Sequence, residues 1–307
     1  MEIYKSVGEL VGKTPMLELT NIENEFGNGN RIFAKLEMFN PAGSSKDRVA
    51  RHILDCAERD GKISLGGTVI EATSGNTGIG LACVGISRGY RAIIVMPSNM
   101  SEERIKIMKA YGAEVVLSDS SLGMAGANEL AKKIHAETPN SFIASQFENM
   151  ANPEAHYLST GPEIFEQMDG KIDYLVCAVG TGGTISGVGK YLKEKAKNIR
   201  IVAVEPKSSP LLSGGVAKPH KIQGIGANFI PATLDREIYD EIITVSDEDA
   251  YKYTAEICKK EGVLAGISSG CALCAALEIA KREKNKSIVV ILPDTGMRYL
   301  SCEIWNK

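Results

Sequence analysis

The sequence lacks the features that mark nucleic-acid-binding and membrane proteins. Its 35 lysine and arginine residues nearly balance 38 aspartate and glutamate residues, and the formal net charge is -3. No run of like charge is long enough to form a binding tail, and no apolar stretch approaches the ~20 residues that span a bilayer. The start, MEIYKSVGEL, has no basic segment followed by an apolar one. We therefore expect a cytoplasmic protein with no nucleic-acid partner and no membrane partner.

The cysteines are scattered along the chain, and their pattern argues against disulfides and metal centres. The chain has 7 cysteines among 307 residues, an odd number in a protein large enough to bury its own core. Only Cys271 and Cys274 form a C-x-x-C pair, which has no second pair and no histidine nearby. We predict that both are small residues on the apolar face of a helix, with redox chemistry as the alternative. No metal site is predicted.

The chain does contain a regular alternation of strand-like and helix-like segments. Short β-branched runs predict strands at 68–72, 91–96, 113–118, 173–179, 199–205 and 287–292. Most of them alternate with helical segments of ten or more residues, and such near-continuous apolar strands are typical of a parallel sheet covered on both faces. We therefore predict an α/β protein of two lobes, with a boundary near residues 137–156 and a ligand cleft between the lobes.

Two loops that follow predicted strands are rich in glycine and hydroxyl groups. TSGNTGIG occupies 73–80, and GTGGT occupies 180–184. A glycine-rich helix N-terminus directs free N–H groups at an anion, so GTGGT is a candidate phosphate-binding loop. It matches neither the Walker pattern nor the dinucleotide fingerprint. Each loop alone is also compatible with a simple tight turn.

Lys46 lies in line with the apolar stripe of a predicted helix. The residues at helical spacing after it are apolar or small: Val49, Ala50, Ile53 and Ala57. Its charged neighbours are expected to reach water on other faces: Asp47, Arg48 and Arg51. The amine of Lys46 could simply extend to water. Alternatively, the helix dipole and partial burial lower its pKa, and a neutral amine beside a phosphate-binding loop suggests a Schiff base with pyridoxal 5'-phosphate.

A series of motifs resembles the cysteine synthase (O-acetylserine sulfhydrylase) family, of the tryptophan-synthase β-like, fold type II, pyridoxal-phosphate enzymes. In order, these motifs are NPAGSSKDR, EATSGNTGIGLA, QFENMANPEAHY, GTGGTISG, GIGANFIP, LAGISSG and PDTGMRYLS, after the opening VGELVGKTPMLEL. The resemblance covers essentially the whole chain. It implies a large cofactor-binding domain, 1–40 with 146–307, and a small mobile domain, 41–145, that closes over the substrate, with the cofactor in the interdomain cleft.

The resemblance also implies a role for each motif residue. Lys46 would hold the cofactor and then act as the acid–base group at the substrate's α-carbon, and Asn76 would hydrogen-bond the 3-oxygen of the ring. The phosphate would be bound by Gly180, Thr181, Gly182, Gly183 and Thr184. The substrate carboxylate would be bound by Thr73, Ser74, Thr77 and Gln146. Ser268 would face the pyridine nitrogen, and a hydroxyl there favours β-elimination over transamination because it does not keep the ring protonated.

The predicted function is formation of L-cysteine from O-acetyl-L-serine and sulfide through an aminoacrylate intermediate. The alternatives are a cysteine-consuming enzyme that produces hydrogen sulfide with lanthionine or serine, a cystathionine β-synthase-like enzyme, and a binding protein without chemistry. The family implies a homodimer and serine acetyltransferase as a possible partner.

Three positions depart from the family pattern and leave the exact substrates open. They are Asn228 in place of glycine, Met150 in place of proline and Met297 in place of an acidic residue. Asn228 could point to solvent, or it could position a water molecule or an incoming amino acid.

Overall fold

The structure is a computed structural model that describes residues 3–196 and 198–306. Its strands are β1 Met16–Glu18, β2 Arg31–Leu36, β3 Thr68–Ala72, β4 Arg91–Pro97, β5 Glu114–Ser118, β6 Ser141–Ile143, β7 Tyr174–Ala178, β8 Arg200–Pro206, β9 Glu241–Val245 and β10 Ser287–Leu292. Its α-helices are α1 Thr20–Glu23, α2 Lys46–Arg59, α3 Asn76–Ser87, α4 Glu102–Ala110, α5 Gly123–Glu137, α6 Ala151–Ala155, α7 Gly161–Gln167, α8 Gly183–Lys195, α9 Asp247–Glu261 and α10 Ile267–Arg282. None of the helices in this described part of the chain is long and apolar enough to span a bilayer.

The chain divides into two compact units. The first comprises the residues up to Gly12 together with Asn40–Ala155, and the second comprises Lys13–Phe39 together with the residues from His156 onward. The chain passes from the first unit to the second for the last time after Ala155, at the end of the predicted boundary region 137–156. The domain limits implied by the resemblance, and the mobility of the small domain, stay predictions.

The first unit is built on a parallel sheet with the strand order β5-β4-β3-β6. Successive side chains of a strand point to opposite faces, so β3 contributes Val69 to one core and Ile70 to the other. The core around Val69 includes apolar side chains of α2 and α3, and the core around Ile70 includes Ala127 and Ala131 of α5. Helices thus cover both faces of this sheet.

The second unit is built on a larger sheet with the strand order β1-β2-β10-β7-β8-β9. Only β1 is antiparallel to its neighbour within the described sheet. Val176 and Val290 belong to a core that includes the apolar face of α10, whereas Leu175 and Val289 belong to a core that includes α8. The prediction of an α/β protein with parallel sheets is confirmed.

Helix α2 confirms the predicted apolar stripe but corrects one detail. Val49, Ala50 and Ile53 are fully buried, and Lys46 at the first position is half-buried. The expectation that Asp47 and Arg48 reach water was wrong, because both side chains are buried. The Asp47 carboxylate accepts hydrogen bonds from the Ala42 N–H (2.6 Å) and the Ser44 hydroxyl (3.3 Å), so it fixes the chain that leads into α2. Arg51, the third charged residue predicted to reach water, is exposed.

The C-x-x-C pair lies on α10, as predicted, and serves packing. Cys271 is fully buried and Cys274 is half-buried against the same core. Burial raises the pKa of the Cys271 thiol well above its usual range and that of Cys274 to about 12. Both thiols are therefore protonated at neutral pH and are poor nucleophiles.

The second unit contains a lysine that is fully buried. The Lys35 ammonium group donates to the Thr14 carbonyl (2.7 Å), the Glu163 carboxylate (2.8 Å) and the Gln167 amide oxygen (2.9 Å). The salt bridge to Glu163 joins β2 to α7. A buried ammonium group is tolerated only when charge and hydrogen bonds replace water.

We expect Glu163→Ala to lower the free energy of unfolding by about 2–3 kcal/mol, because it removes the counter-charge of a buried ammonium group. The matched control is Glu166→Ala on the same helix, where the side chain is exposed and the expected change is below about 0.5 kcal/mol. Urea unfolding of both variants measures the difference. Equal midpoints and slopes for the two variants would contradict the stabilising role of Glu163.

Candidate active site

The first unit places Lys46 where two helices approach each other closely. Lys46 begins α2, and α2 packs against α3 at Gly80. A Cβ atom at Gly80 would lie 3.0 Å from the Lys46 carbonyl oxygen and 3.2 Å from the Ala50 Cβ atom. A larger residue at position 80 would therefore displace the first turn of α2, which carries the candidate amine.

The loop between β3 and α3 holds the candidate substrate-binding groups. Thr73 is buried directly after β3, and its hydroxyl oxygen accepts a hydrogen bond from the Gly75 N–H (3.2 Å). The Ser74 carbonyl accepts from the guanidinium of Arg104 (3.3 Å), a buried residue of α4 that the sequence did not single out. Asn76 is the first residue of α3. The loop is thus fixed from both sides before the helix begins.

Gln146 lies beside this loop. The Thr77 hydroxyl donates to the Gln146 side-chain oxygen at 2.5 Å, and both residues are buried. Two of the residues predicted to bind one carboxylate, separated by 69 positions in the chain, are therefore brought together. Asn152 of α6 donates to the Gln146 carbonyl (2.8 Å). This bond connects the segment that begins at Gln146 to α6, the helix that follows it.

Glu71, a residue that the sequence did not predict for the site, holds the Gln146 segment against β3. Its buried carboxylate accepts the backbone N–H groups of Ser145 (2.7 Å) and Gln146 (3.2 Å), and Ser145 has a left-handed φ of 52°. Burial raises the pKa of Glu71 to about 7, against the opposing effect of these N–H groups. The available signal was an acidic residue inside the apolar strand TVIEA.

The second unit contains the predicted phosphate-binding loop, 180–184, between β7 and α8. Gly182 precedes α8 with a left-handed φ of 81°, and a Cβ atom there would lie 2.5 Å from the Leu234 Cβ atom. A Cβ atom at Gly180 would collide with the Gly224 carbonyl oxygen. The first N–H groups of a helix have no partner within it. Only glycine fits the backbone path that presents these groups.

His156 is a further residue that the sequence did not predict for the site. It is fully buried in the π-helix His156–Thr160, and its ring nitrogens lie 2.9 Å from the Thr160 hydroxyl and 3.2 Å from the Thr184 hydroxyl. A π-helix is a rare element that occurs often at functional sites. His156 therefore orients the hydroxyl of one predicted phosphate ligand. The neighbouring Thr181 carbonyl accepts from the Thr233 hydroxyl (2.7 Å).

Ser268 and Asn228 also belong to the second unit. Ser268 is buried in the first turn of α10, with its hydroxyl oxygen 4.0 Å from the position of a Cβ atom at Gly224. Asn228 is exposed, has a left-handed φ of 62°, and its side-chain oxygen accepts from the Ser209 hydroxyl at 3.4 Å. Asparagine adopts this conformation more readily than most residues other than glycine, so the backbone explains why position 228 suits either residue.

Comparison with known proteins identifies the family. A family profile described as "Pyridoxal-phosphate dependent enzyme" matches residues 7–294. The chain belongs to this family. Its cofactor is pyridoxal 5'-phosphate, and the predictions of an enzyme and of this cofactor are confirmed.

The relatives agree over nearly the whole chain. A protein called cysteine synthase from Staphylococcus aureus (strain Mu50 / ATCC 700699) is 50% identical over 303 residues, which cover 98% of this chain and 97% of the relative. A crystal structure of cysteine synthase from Entamoeba histolytica is 45% identical with a TM-score of 0.95, covering 100% of this chain and 92% of that one. A hydrogen sulfide-producing enzyme from Fusobacterium nucleatum is 45% identical with a TM-score of 0.92, covering 97% and 100%. The predicted resemblance to the cysteine synthase family is confirmed.

The residues of each unit fit the chemistry of the family's cofactor. The 180–184 loop offers backbone N–H groups at the start of a 13-residue helix and the hydroxyls of Thr181 and Thr184, which suit a phosphate dianion. Lys46 supplies a half-buried amine of the kind that forms a Schiff base with an aldehyde. Ser268 supplies a neutral hydroxyl in a buried position.

The raised pKa of Glu71 predicts a pH dependence of stability. The folded state favours the protonated carboxyl group of Glu71. The stability that this preference contributes is fully present below the ordinary pKa of 4.5 and is lost as the pH rises to about 7. The free energy of unfolding of the wild type should therefore fall by about 2–3 kcal/mol more than that of Glu71→Gln as the pH rises from about 5 to about 8. Urea unfolding at both pH values measures this difference. The matched control is Glu137→Gln, at the exposed end of α5 in the same unit and not among the charges that shift the pKa of Glu71. It should keep the wild-type slope, and a wild-type slope in Glu71→Gln would contradict the assignment.

Proposed function

We propose that this enzyme is a cysteine synthase, which forms L-cysteine from O-acetyl-L-serine and sulfide by β-replacement. The observation that carries the proposal is the 50% identity, over 98% of the chain, to a relative called cysteine synthase. The site residues are consistent with it, because the chain has an amine at Lys46, a glycine-rich loop at a helix N-terminus and a buried hydroxyl at Ser268. Small amino acids and sulfide are then the molecules that the site binds.

Pyridoxal phosphate, when bound, supplies an aldehyde that bonds to amines and a ring that withdraws electrons from the bonds at the substrate's α-carbon. Lys46 is the residue proposed to hold it. The Nζ atom of Lys46, when not bonded to the cofactor, would take the proton from the substrate's α-carbon. Lys46 lies in the first turn of α2, and that turn packs against Gly80. The backbone from which the Lys46 side chain extends is therefore held in one position for both roles.

The remaining residues bind and orient. Asn76 is proposed to hydrogen-bond the 3-oxygen of the ring, and the 180–184 loop, with Thr184 oriented by His156, to bind the phosphate. The groups proposed for the substrate carboxylate are the hydroxyls and backbone of Thr73, Ser74 and Thr77 and the amide of Gln146. Ser268 is proposed to face the ring nitrogen. A hydroxyl does not keep that nitrogen protonated as a carboxylate would, which favours loss of a β-substituent over transamination.

The wider proposal follows the family resemblance. It includes a homodimer, a cytoplasmic location and serine acetyltransferase as a possible partner, together with a small domain, residues 41–145, that closes over the substrate. The substrate-binding residues proposed for closure belong to that range or adjoin it at Gln146.

The proposed function is tested by product analysis of the holoenzyme. Cysteine formation from O-acetylserine and sulfide should exceed sulfide release from cysteine alone. Lys46→Ala should fold but lose turnover by about 10³-fold or more, because it removes both the anchor and the base. The control Lys62→Ala, at an exposed lysine just after α2, should keep wild-type turnover. Turnover of Lys46→Ala near the wild-type rate would remove Lys46 from the mechanism.

The second candidate function is consumption of cysteine with release of hydrogen sulfide. It is favoured by the likeness to a hydrogen sulfide-producing enzyme at 45% identity. For this function Asn228 would be the residue that selects the donor, since glycine is the family's usual residue there. The exposed side chain of Asn228 and its left-handed φ of 62° instead support a purely conformational role.

Variants of Asn228 separate these two roles. Glycine accepts a left-handed φ without strain, so Asn228→Gly should keep both the stability and the ratio of sulfide release to cysteine synthesis close to wild type. Asn228→Ala should lower the free energy of unfolding by about 1 kcal/mol, because alanine is strained at this φ. Denaturant unfolding and parallel assays of both reactions provide the measurements. A fall in the ratio for Asn228→Gly would instead assign donor selection to the Asn228 side chain.

A further inference from the structure

A cluster of three potential metal ligands lies in the first unit, on residues to which the proposed reaction gives no role. His52 and Cys56 are four positions apart on α2 and therefore project from the same face. Glu154 of α6 lies opposite them. We call this group the 52/56/154 cluster, and its ligand atoms all lie within 4.8 Å of one another.

The distances within the cluster approach those of a tetrahedral zinc site. His52 Nε2 is 3.0 Å from Glu154 Oε2 and 3.6 Å from Cys56 Sγ, and Cys56 Sγ is 4.0 Å from Glu154 Oε2. Bonds of about 2.0 Å to nitrogen and oxygen and about 2.3 Å to sulfur, at tetrahedral angles, require ligand separations of about 3.3–3.5 Å. Each separation is within about half an ångström of this range, a difference that small side-chain rotations can supply.

The three donors also select the kind of ion. One imidazole nitrogen, one sulfur and one carboxylate oxygen suit Zn²⁺, whereas Mg²⁺ and Ca²⁺ need several oxygen ligands. The Glu154 side chain is 50% exposed and that of His52 is 19% exposed. One side of the cluster is therefore open to solvent, where water can occupy a fourth coordination position.

We propose that His52, Cys56 and Glu154 form a zinc-binding site that links α2 to α6 and has a solvent-accessible fourth position. In the metal-free protein, His52 Nε2 and Glu154 Oε2 are in direct contact at 3.0 Å, and the ion replaces this contact. This inference does not depend on the proposed function.

Zinc binding at this site must release the thiol proton of Cys56. An ordinary cysteine thiol is protonated at neutral pH, whereas the metal ligand is the thiolate, so the metal must displace that proton. The number of protons released on binding is accordingly a direct signature of Cys56 coordination.

The site would act on a segment that leads to Gln146. Asn152, two positions before Glu154 on α6, donates to the Gln146 carbonyl at 2.8 Å. An ion shared by Glu154 and the two α2 ligands would restrain α6 against α2 and, through Asn152, the Gln146 segment. Zinc should therefore raise the thermal stability of the protein even when no substrate is present.

The experiment is a zinc titration of the holoenzyme by calorimetry in two buffers of different ionisation enthalpy. We expect one zinc ion per chain and release of at least one proton. Cys56→Ser should bind zinc at least about 100-fold more weakly than the wild type, and Glu154→Gln about 10-fold more weakly. The matched control is Cys258→Ser, at another half-buried cysteine on the other unit's α9, and should bind zinc as the wild type does. Circular dichroism verifies that every variant is folded.

Cobalt(II) provides a second measurement that depends on ligand geometry. Wild-type protein loaded with Co²⁺ should show the strong ligand-field bands of a tetrahedral thiolate complex in the red part of the spectrum, where the cofactor does not absorb. Cys56→Ser should lose these bands, and Cys258→Ser should keep them. The proposal is overturned if Cys56→Ser binds zinc as tightly as the wild type, or if these bands are absent, since His52 and Glu154 would then form an ion pair only.

Discussion

The backbone at the carboxyl ends of the parallel strands is the constraint on which the candidate site depends. In each unit the chain leaves a buried strand and must turn at once into a helix that packs back on the sheet. After β7 this turn has space only for hydrogen at Gly180 and Gly182, because Gly224 and Leu234 occupy the space of a side chain. The N–H groups at the start of α8 are presented as a consequence of that packing.

Buried polar side chains then hold the loops in one conformation. Glu71 accepts two backbone N–H groups from the Ser145–Gln146 turn, and His156 lies between the hydroxyls of Thr160 and Thr184. Each of these groups is costly to bury without its partners, so each penalises alternative loop conformations. Residues that touch no substrate thereby determine the geometry of those proposed to do so.

The sequence predicted strands whose residue pattern is β-branched and apolar, and most of the strands that it missed lack that pattern. Strands β3 and β10 were predicted with the observed limits, because both are short β-branched runs buried on two faces. Strand β2 was missed because Ile32 is its only β-branched residue and Lys35 interrupts its apolar pattern. The carboxylate that makes the buried lysine tolerable lies in α7. The short strand β6 and the edge strand β9 gave no comparable run.

The candidate site divides in the same way. Lys46, the two glycine-rich loops and their order along the chain could be read from the sequence, since helical periodicity and glycine content are local properties. Asp47 and Arg48 were misplaced because local periodicity does not reveal which polar groups find buried partners. Glu71, Arg104 and His156 were missed because their contacts lie 30 or more positions away in two cases and their significance depends on burial. Glu154 illustrates the same limit, since it meets His52 across 102 positions.

The buried cysteines of β7 and α10 have a further consequence for an enzyme proposed to work with sulfide and thiols. Such an enzyme is exposed to persulfides and mixed disulfides, and these exchange only with thiolates. Cys271 is inside the core, and burial raises the pKa of Cys271 and of Cys177 well above the usual range. Packing these thiols out of reach of solvent also makes them chemically inert, so the core does not accumulate covalent sulfur damage from the reaction that the enzyme is proposed to catalyse.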